Sequence, residues 1–127
     1  MKKTIVTILL STAFTGAAFA GDAAKGEADF KKCKACHDVG AGAKNKVGPT
    51  LNGIVGAPAA HLGDEFNYSD AMLEKAAEGM IWDEETLTVY LKKPKELVPG
   101  TKMSFAGLRK DGDIENVIAY LQTFPAE

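Results

Sequence analysis

Two cysteines and two histidines in 127 residues leave little material for metal or redox chemistry. A structural zinc site needs four nitrogen or sulfur ligands at recognisable spacing. With Cys33, Cys36 and His37 in one cluster, only His61 remains to complete such a set. Long hydrophobic runs are scarce as well. The apolar stretch from Ile5 to Ala17 is interrupted by Thr7, Ser11, Thr12 and Thr15. It falls short of the ~20 apolar residues that a membrane-spanning helix requires. Convincing strand patterns are absent, which excludes a sheet-based architecture and predicts an all-α fold.

What stands at the start of the chain is a charged pair, Lys2 and Lys3, then the apolar stretch, then Ala18-Phe19-Ala20 before Gly21. That order is the pattern of a secretory signal peptide with a small-X-small cleavage site. Residues 1–20 are therefore expected to be removed and the protein to reside in the periplasm. Residues 21–127 then form one small domain, whose core gains from any additional apolar body it can enclose.

An exported chain ordinarily pairs its cysteines, and Cys-X-X-Cys also serves thioredoxin-like redox sites. The run Cys33-Lys34-Ala35-Cys36-His37 points to a third use. Two thiols three positions apart can each form a thioether to one vinyl group of a single porphyrin. The residue that follows can then place its imidazole on the iron. Asp29-Phe30-Lys31-Lys32, just before the motif, carries none of the β-branched residues expected of the strand in a thioredoxin-type site. The sequence thus predicts one covalent haem c, held by Cys33 and Cys36 and ligated by His37.

Helical periodicity is legible in four places. Asp22 can cap a first helix whose stripe, Ala23, Gly26, Phe30 and Cys33, runs into the motif. Ser69 can cap a helix over 70–78, with Gly79 just past its end. Asp83 can cap a third, in which Leu87, Tyr90 and Leu91 share a face before Pro94 stops it. Asp113 precedes the last, with Ile114, Val117, Ile118 and Leu121 at helical spacing. Loops over 40–63 and 95–110 separate them, the first rich in Gly, Pro and Asn. Loops of such length inside a small domain usually serve a function.

The second axial ligand decides between electron transfer and ligand or oxygen chemistry. His61, Met72, Met80 and Met103 are the candidates. Met72 and Met80 flank an expected helix, where methionine is commonly a core gap-filler, and His61 reads as a surface loop residue. Met103 follows Val98-Pro99-Gly100-Thr101-Lys102, a loop able to project a thioether at a fixed face.

Gly48-Pro49, the run Phe66-Asn67-Tyr68-Ser69-Asp70-Ala71, Trp82 to Leu87, Tyr90-Leu91, Pro94 and the run Pro99 to Gly107 together resemble class I c-type cytochromes. Mitochondrial cytochrome c and the bacterial cytochromes c2, in a short form, are the nearest pattern, and the likeness covers residues 21–127 in order. It implies the cytochrome c fold, with N- and C-terminal helices crossing over one haem, and axial ligation by His37 and Met103. It further implies that the Pro49 carbonyl accepts the His37 Nδ1 proton. Tyr90 is implied to lie near the Met103 sulfur, and Tyr68, Trp82 and Thr101 to serve a buried propionate. Gly26 and Phe30 are implied to pack on Tyr120 and Leu121. Two positions depart from the mitochondrial pattern: Ala57 where an Arg supports a propionate, and Met72 in place of a buried Asn. Their effects on potential oppose one another, so no net shift is expected.

Charge is unevenly spread. All 17 acidic residues lie beyond residue 20, where 13 basic residues remain. Lys31, Lys32, Lys34, Lys44, Lys46, Lys92, Lys93, Lys95, Lys102, Arg109 and Lys110 fall in two windows, 31–46 and 92–110, alongside just Asp38 and Glu96. These windows flank the attachment motif and the Met103 loop. Such a field steers acidic partners and raises the on-rate more than the affinity. Lys31, Lys32, Lys34, Lys46, Lys93, Lys95, Lys102 and Lys110 are the expected docking set.

The sequence therefore predicts a soluble, monomeric periplasmic electron carrier rather than an enzyme. Expected partners are membrane-bound redox complexes with acidic faces, such as a quinol:cytochrome c reductase, a terminal oxidase or a photosynthetic reaction centre. Nucleic acid and, after cleavage, membrane insertion are excluded. The competing reading, a haem peroxidase or gas-binding cytochrome, requires an open sixth position on the iron. A fixed-subunit reading requires an anchor or an extra interface.

Overall fold

A computed structural model describes residues 21–127; the expected signal peptide, residues 1–20, lies outside them. Five helices follow one another among the described residues: α1 (Ala23–Phe30), α2 (Asp70–Ala77), α3 (Glu84–Lys92), α4 (Pro94–Leu97) and α5 (Asp111–Leu121), with a 3-10 turn at Gly63–Glu65. Among the described residues there is no strand, only an isolated antiparallel bridge between Pro58 and Ile81.

Three helices start where a short polar side chain satisfies otherwise unpaired amides. Asp22 Oδ1 accepts from Ala24 N at 2.9 Å and Lys25 N at 3.2 Å. Ser69 Oγ accepts from Met72 N at 3.1 Å and Asp83 Oδ1 from Thr86 N at 2.8 Å. Bonds from the Thr86 backbone and side chain hold the exposed Asp83 carboxyl below the usual carboxylate range.

Two boundaries differ from expectation. α5 begins at Asp111, three residues before Ile114, so that Asp111 and Asp113 both sit in its first turn beside the positive end of the helix dipole. Asp111 also pairs with Lys92 at 2.8 Å, which ties α5 to the end of α3. Pro94 ends α3 as expected but also opens α4 at its first turn, where a missing N–H costs nothing. The expected loop 95–110 is therefore helical at its start.

The chain closes on itself where α1 crosses α5. A Cβ on Gly26 would overlap the carbonyl oxygen of Asn116 and come within 2.8 Å of Tyr120 Cβ. Glycine is what lets the two backbones touch. One turn later Phe30 meets Tyr120 at a tilt with ring centroids 5.4 Å apart, and Asn116 Oδ1 accepts from Asp22 N at 2.9 Å. Gly26→Ala is expected to lower stability by about 3 kcal/mol through overpacking of this crossing, read as a fall in the denaturant midpoint with unchanged slope. Phe30, Ile114, Val117, Ile118 and Leu121 carry the crossing into the core shared with Trp82, Leu87, Tyr90, Leu91 and Val98.

Candidate haem site

Beyond Phe30 the chain does not straighten. Cys33 N bonds Phe30 O at 2.8 Å, and Cys36 N and His37 N both bond Cys33 O, at 3.1 and 2.9 Å. This tight series of turns points both thiols and the imidazole into one cavity of about 420 Å³. Cys33 and Cys36 are unpaired, so neither is taken by a disulfide. Burial raises the Cys33 thiol above its usual range, with neighbouring Lys32 opposing and Cys36 reinforcing the shift.

His37 is fixed from two sides. Its Nδ1 lies 2.7 Å from the Pro49 carbonyl oxygen, which identifies Nδ1 as the protonated nitrogen and leaves Nε2 as the lone-pair donor. Its ring lies against Gly48, where a Cβ would stand 2.5 Å from Cε1. Gly48 N in turn bonds Cys36 O at 2.8 Å, clamping the loop to the motif. Burial lowers the His37 pKa against the smaller raising effect of the Pro49 bond. The net shift favours the neutral ring, the form that a metal ligand must take.

Met103 reaches the same cavity from the Pro99-Gly100 loop. The Tyr90 hydroxyl donates to its Sδ at 3.2 Å, and Thr101 Oγ1 accepts from Met103 N at 3.2 Å. Thr101 also bonds the Tyr90 hydroxyl, which limits the rise that burial imposes on the tyrosine pKa. Tyr90, Thr101 and Met103 thus hold one another. A sulfur has two lone pairs, so a bond from Tyr90 leaves one for a metal.

The remaining candidates distribute unevenly. Met72 is buried and lines the cavity; Met80 packs against the core and does not. Tyr68 and Trp82 line it too. The Tyr68 hydroxyl accepts from Leu62 N at 3.2 Å, and the Trp82 and Tyr90 rings meet at a tilt with centroids 4.8 Å apart. Ala57 does not line the cavity, but its backbone joins the loop to Trp82 N at 2.8 Å. The eight expected docking lysines are all exposed. Lys32 and Lys102 lie at the cavity itself, while Lys93 is paired with Glu96 at 2.9 Å.

One residue differs from expectation. His61 is partly buried and lines the cavity instead of standing on the surface. No local pattern in the sequence marks it. Leu51, Ile54, Phe66 and Phe105 complete apolar walls that periodicity did not identify, because they stand in loops.

A haem suits this residue set. Two thiols, an imidazole with a free Nε2 and a thioether converge on an apolar cavity, into which one buried side-chain nitrogen, His61 Nε2, projects without a protein partner. The fold and site define a covalent haem protein. The comparisons agree: the sequence model of the family described as "Cytochrome c" matches residues 23–125. A cytochrome c2 from Agrobacterium tumefaciens is 53% identical over 102 residues, covering 80% of this chain and 90% of that protein. The solved cytochrome cH of Methylobacterium extorquens shares 47% identity, with TM-score 0.73 over 81% of this chain and 99% of its own. Cytochrome c2 of Rhodospirillum centenum superposes with TM-score 0.78 at 38% identity, covering 84% and 100%. The chain belongs to the cytochrome c family. Its cofactor is covalent haem c, and its activity is electron transfer, not turnover of a substrate.

Proposed function

We propose that this protein is a diffusing single-electron carrier of the periplasm, released by cleavage after Ala20, with its iron held between His37 and Met103. The bond from Tyr90 to the Met103 sulfur is the observation that carries the reading, because it holds a neutral thioether in the cavity that His37 also lines. Haem supplies an iron that alternates between ferric and ferrous states; the chain supplies everything else. With haem bound, His37 and Met103, which both reach the cavity, would hold the iron, keep small molecules from the metal and let electrons pass with little rearrangement. The apolar walls exclude water and favour the less charged ferrous form. Tyr68 and Trp82 serve the haem carboxylates, and Pro49 and Tyr90 orient the axial ligands. Thr101 acts chiefly through Tyr90 and Met103.

Lys32 and Lys102 are exposed at the cavity, where they would set positive charge beside a bound haem, and the other exposed lysines extend that charge. This supports brief docking on acidic faces of membrane-bound complexes of a respiratory or photosynthetic chain. Among the described residues no helix is long and apolar enough to cross a membrane. Stopped-flow oxidation by such a complex is expected to slow several-fold between about 0.01 and about 0.15 M salt, as the screening length falls from roughly 30 to 8 Å. A rate independent of salt contradicts docking by this charged surface.

A further inference from the structure

The cavity holds a group that axial ligation and covalent attachment leave without a role. Among the described residues, His61 Nε2 is the one buried side-chain nitrogen or oxygen with no hydrogen-bond partner. Buried polar atoms are almost always paired, and an unpaired one is destabilising unless a ligand completes it. The residue before it, Ala60, is the one non-glycine described with positive φ, at 54°. A left-handed backbone is strained for alanine. Strain and an unpaired atom thus occur at adjacent residues, and both are explained if the imidazole has a partner inside the cavity.

The chemistry of that partner follows from the cofactor. A haem joined to Cys33 and Cys36 through its vinyl groups carries two carboxylates at another edge, and a carboxylate in an apolar cavity needs donors. Next to His61, Leu62 N donates to the Tyr68 hydroxyl at 3.2 Å, leaving the phenol's own proton for a second acceptor. Tyr68 and His61 thus bring two polar groups to one stretch of wall. We propose that His61 binds a haem carboxylate through Nε2, and that protonation of its imidazole is linked to the redox state of the iron.

The sign of the linkage follows from charge. Other titratable groups on the cavity are Lys32, Cys33, Cys36, His37, Tyr68, Tyr90 and Lys102. The cysteines are consumed by attachment and His37 by ligation, while Asp64 and Glu65 on the same loop are exposed. Burial lowers the His61 pKa, and no neighbouring charge contributes to the shift. A haem carboxylate raises it again. Ferric iron carries one more positive charge than ferrous and opposes the imidazolium, so the pKa is higher in the reduced protein. By reciprocity the midpoint potential falls as pH rises between the two values and is flat outside them.

The test uses the holoprotein. Ring-proton NMR of His61 is simple to assign, since the chain has two histidines and the other is the iron ligand. Its pKa is expected to be roughly half to one unit higher in the ferrous form, the effect of one partly screened charge. Spectroelectrochemistry from about pH 5 to pH 9 is expected to show the falling potential in wild type and a flat line in His61→Asn and His61→Gln. Equal His61 pKa values in the two redox states, or a slope that persists in both variants, overturns the proposal. The NMR arm needs no variant and so stands if either fails to assemble. The proposal depends on the haem and not on Met103, whose ligation is read separately from the ferric spectrum.

Discussion

Produced without its haem, the chain is expected to lose its native fold at neutral pH and 25 °C. The cavity of about 420 Å³ is bounded by Phe30, Tyr68, Met72, Trp82, Leu87, Tyr90, Leu91, Val117 and Leu121, which are also the buried core. At about 24 cal/mol per Å³, leaving such a volume empty costs on the order of 10 kcal/mol, which equals the whole stability of a typical domain, about 5–15 kcal/mol. Collapse is the alternative, but it pulls α3 and the Met103 loop away from the positions their own hydrogen bonds define. Far-UV circular dichroism is expected to show loss of most helix and of a cooperative thermal transition, with the α1–α5 crossing as the one local contact able to persist in part. A haem-free chain melting cooperatively with native helix content would mean that the side chains alone fill the fold. The measurement also separates the cofactor's contribution to folding from its contribution to chemistry.

Met103→Ala is expected to convert a closed iron into an open one. The reduced variant should bind carbon monoxide rapidly at neutral pH, where wild type binds it slowly. The Met-to-iron charge-transfer band of the ferric protein should vanish. The potential should fall on the order of 0.2 V, a fraction of the ~0.8 V that axial ligands control. The loop itself should survive, because Val98 is fully buried and Thr101 N bonds its carbonyl at 3.0 Å. Tyr90 loses its acceptor, so the hydroxyl becomes a donor for whatever enters the vacated position. Unaltered inertness to carbon monoxide would assign the sixth position to another side chain on the cavity, Met72 or His61. Met72→Ala is the control, expected to loosen the core while leaving the charge-transfer band in place.

The parts of this structure that sequence reveals are those set by neighbours in the chain. Asp22, Ser69 and Asp83 cap helices because each side chain reaches amides two or three residues on. Cys33, Cys36 and His37 share one run of turns and announce themselves by spacing alone. α4 was hidden because four residues are too few to show a period. α5 starts three residues before Ile114, and its first residue, Asp111, pairs with Lys92, a tertiary contact that no local rule contains. His61 is the clearest case. A lone histidine in a loop of Gly, Ala and Pro reads as solvated, and neither its place on the cavity nor the left-handed backbone at Ala60 before it is marked by any periodicity. The apolar cavity walls escaped for the same reason, since Leu51, Ile54, Phe66 and Phe105 stand in loops that wrap the site without periodicity.

The closed His37–Met103 iron is the claim on which the carrier reading rests, and the visible spectrum of the oxidised wild-type protein tests it most directly. The account predicts a Met-to-iron charge-transfer band at neutral pH that disappears in Met103→Ala and persists in Met72→Ala and His61→Gln. A wild-type spectrum without that band, with the iron open or held by two imidazoles, would contradict it.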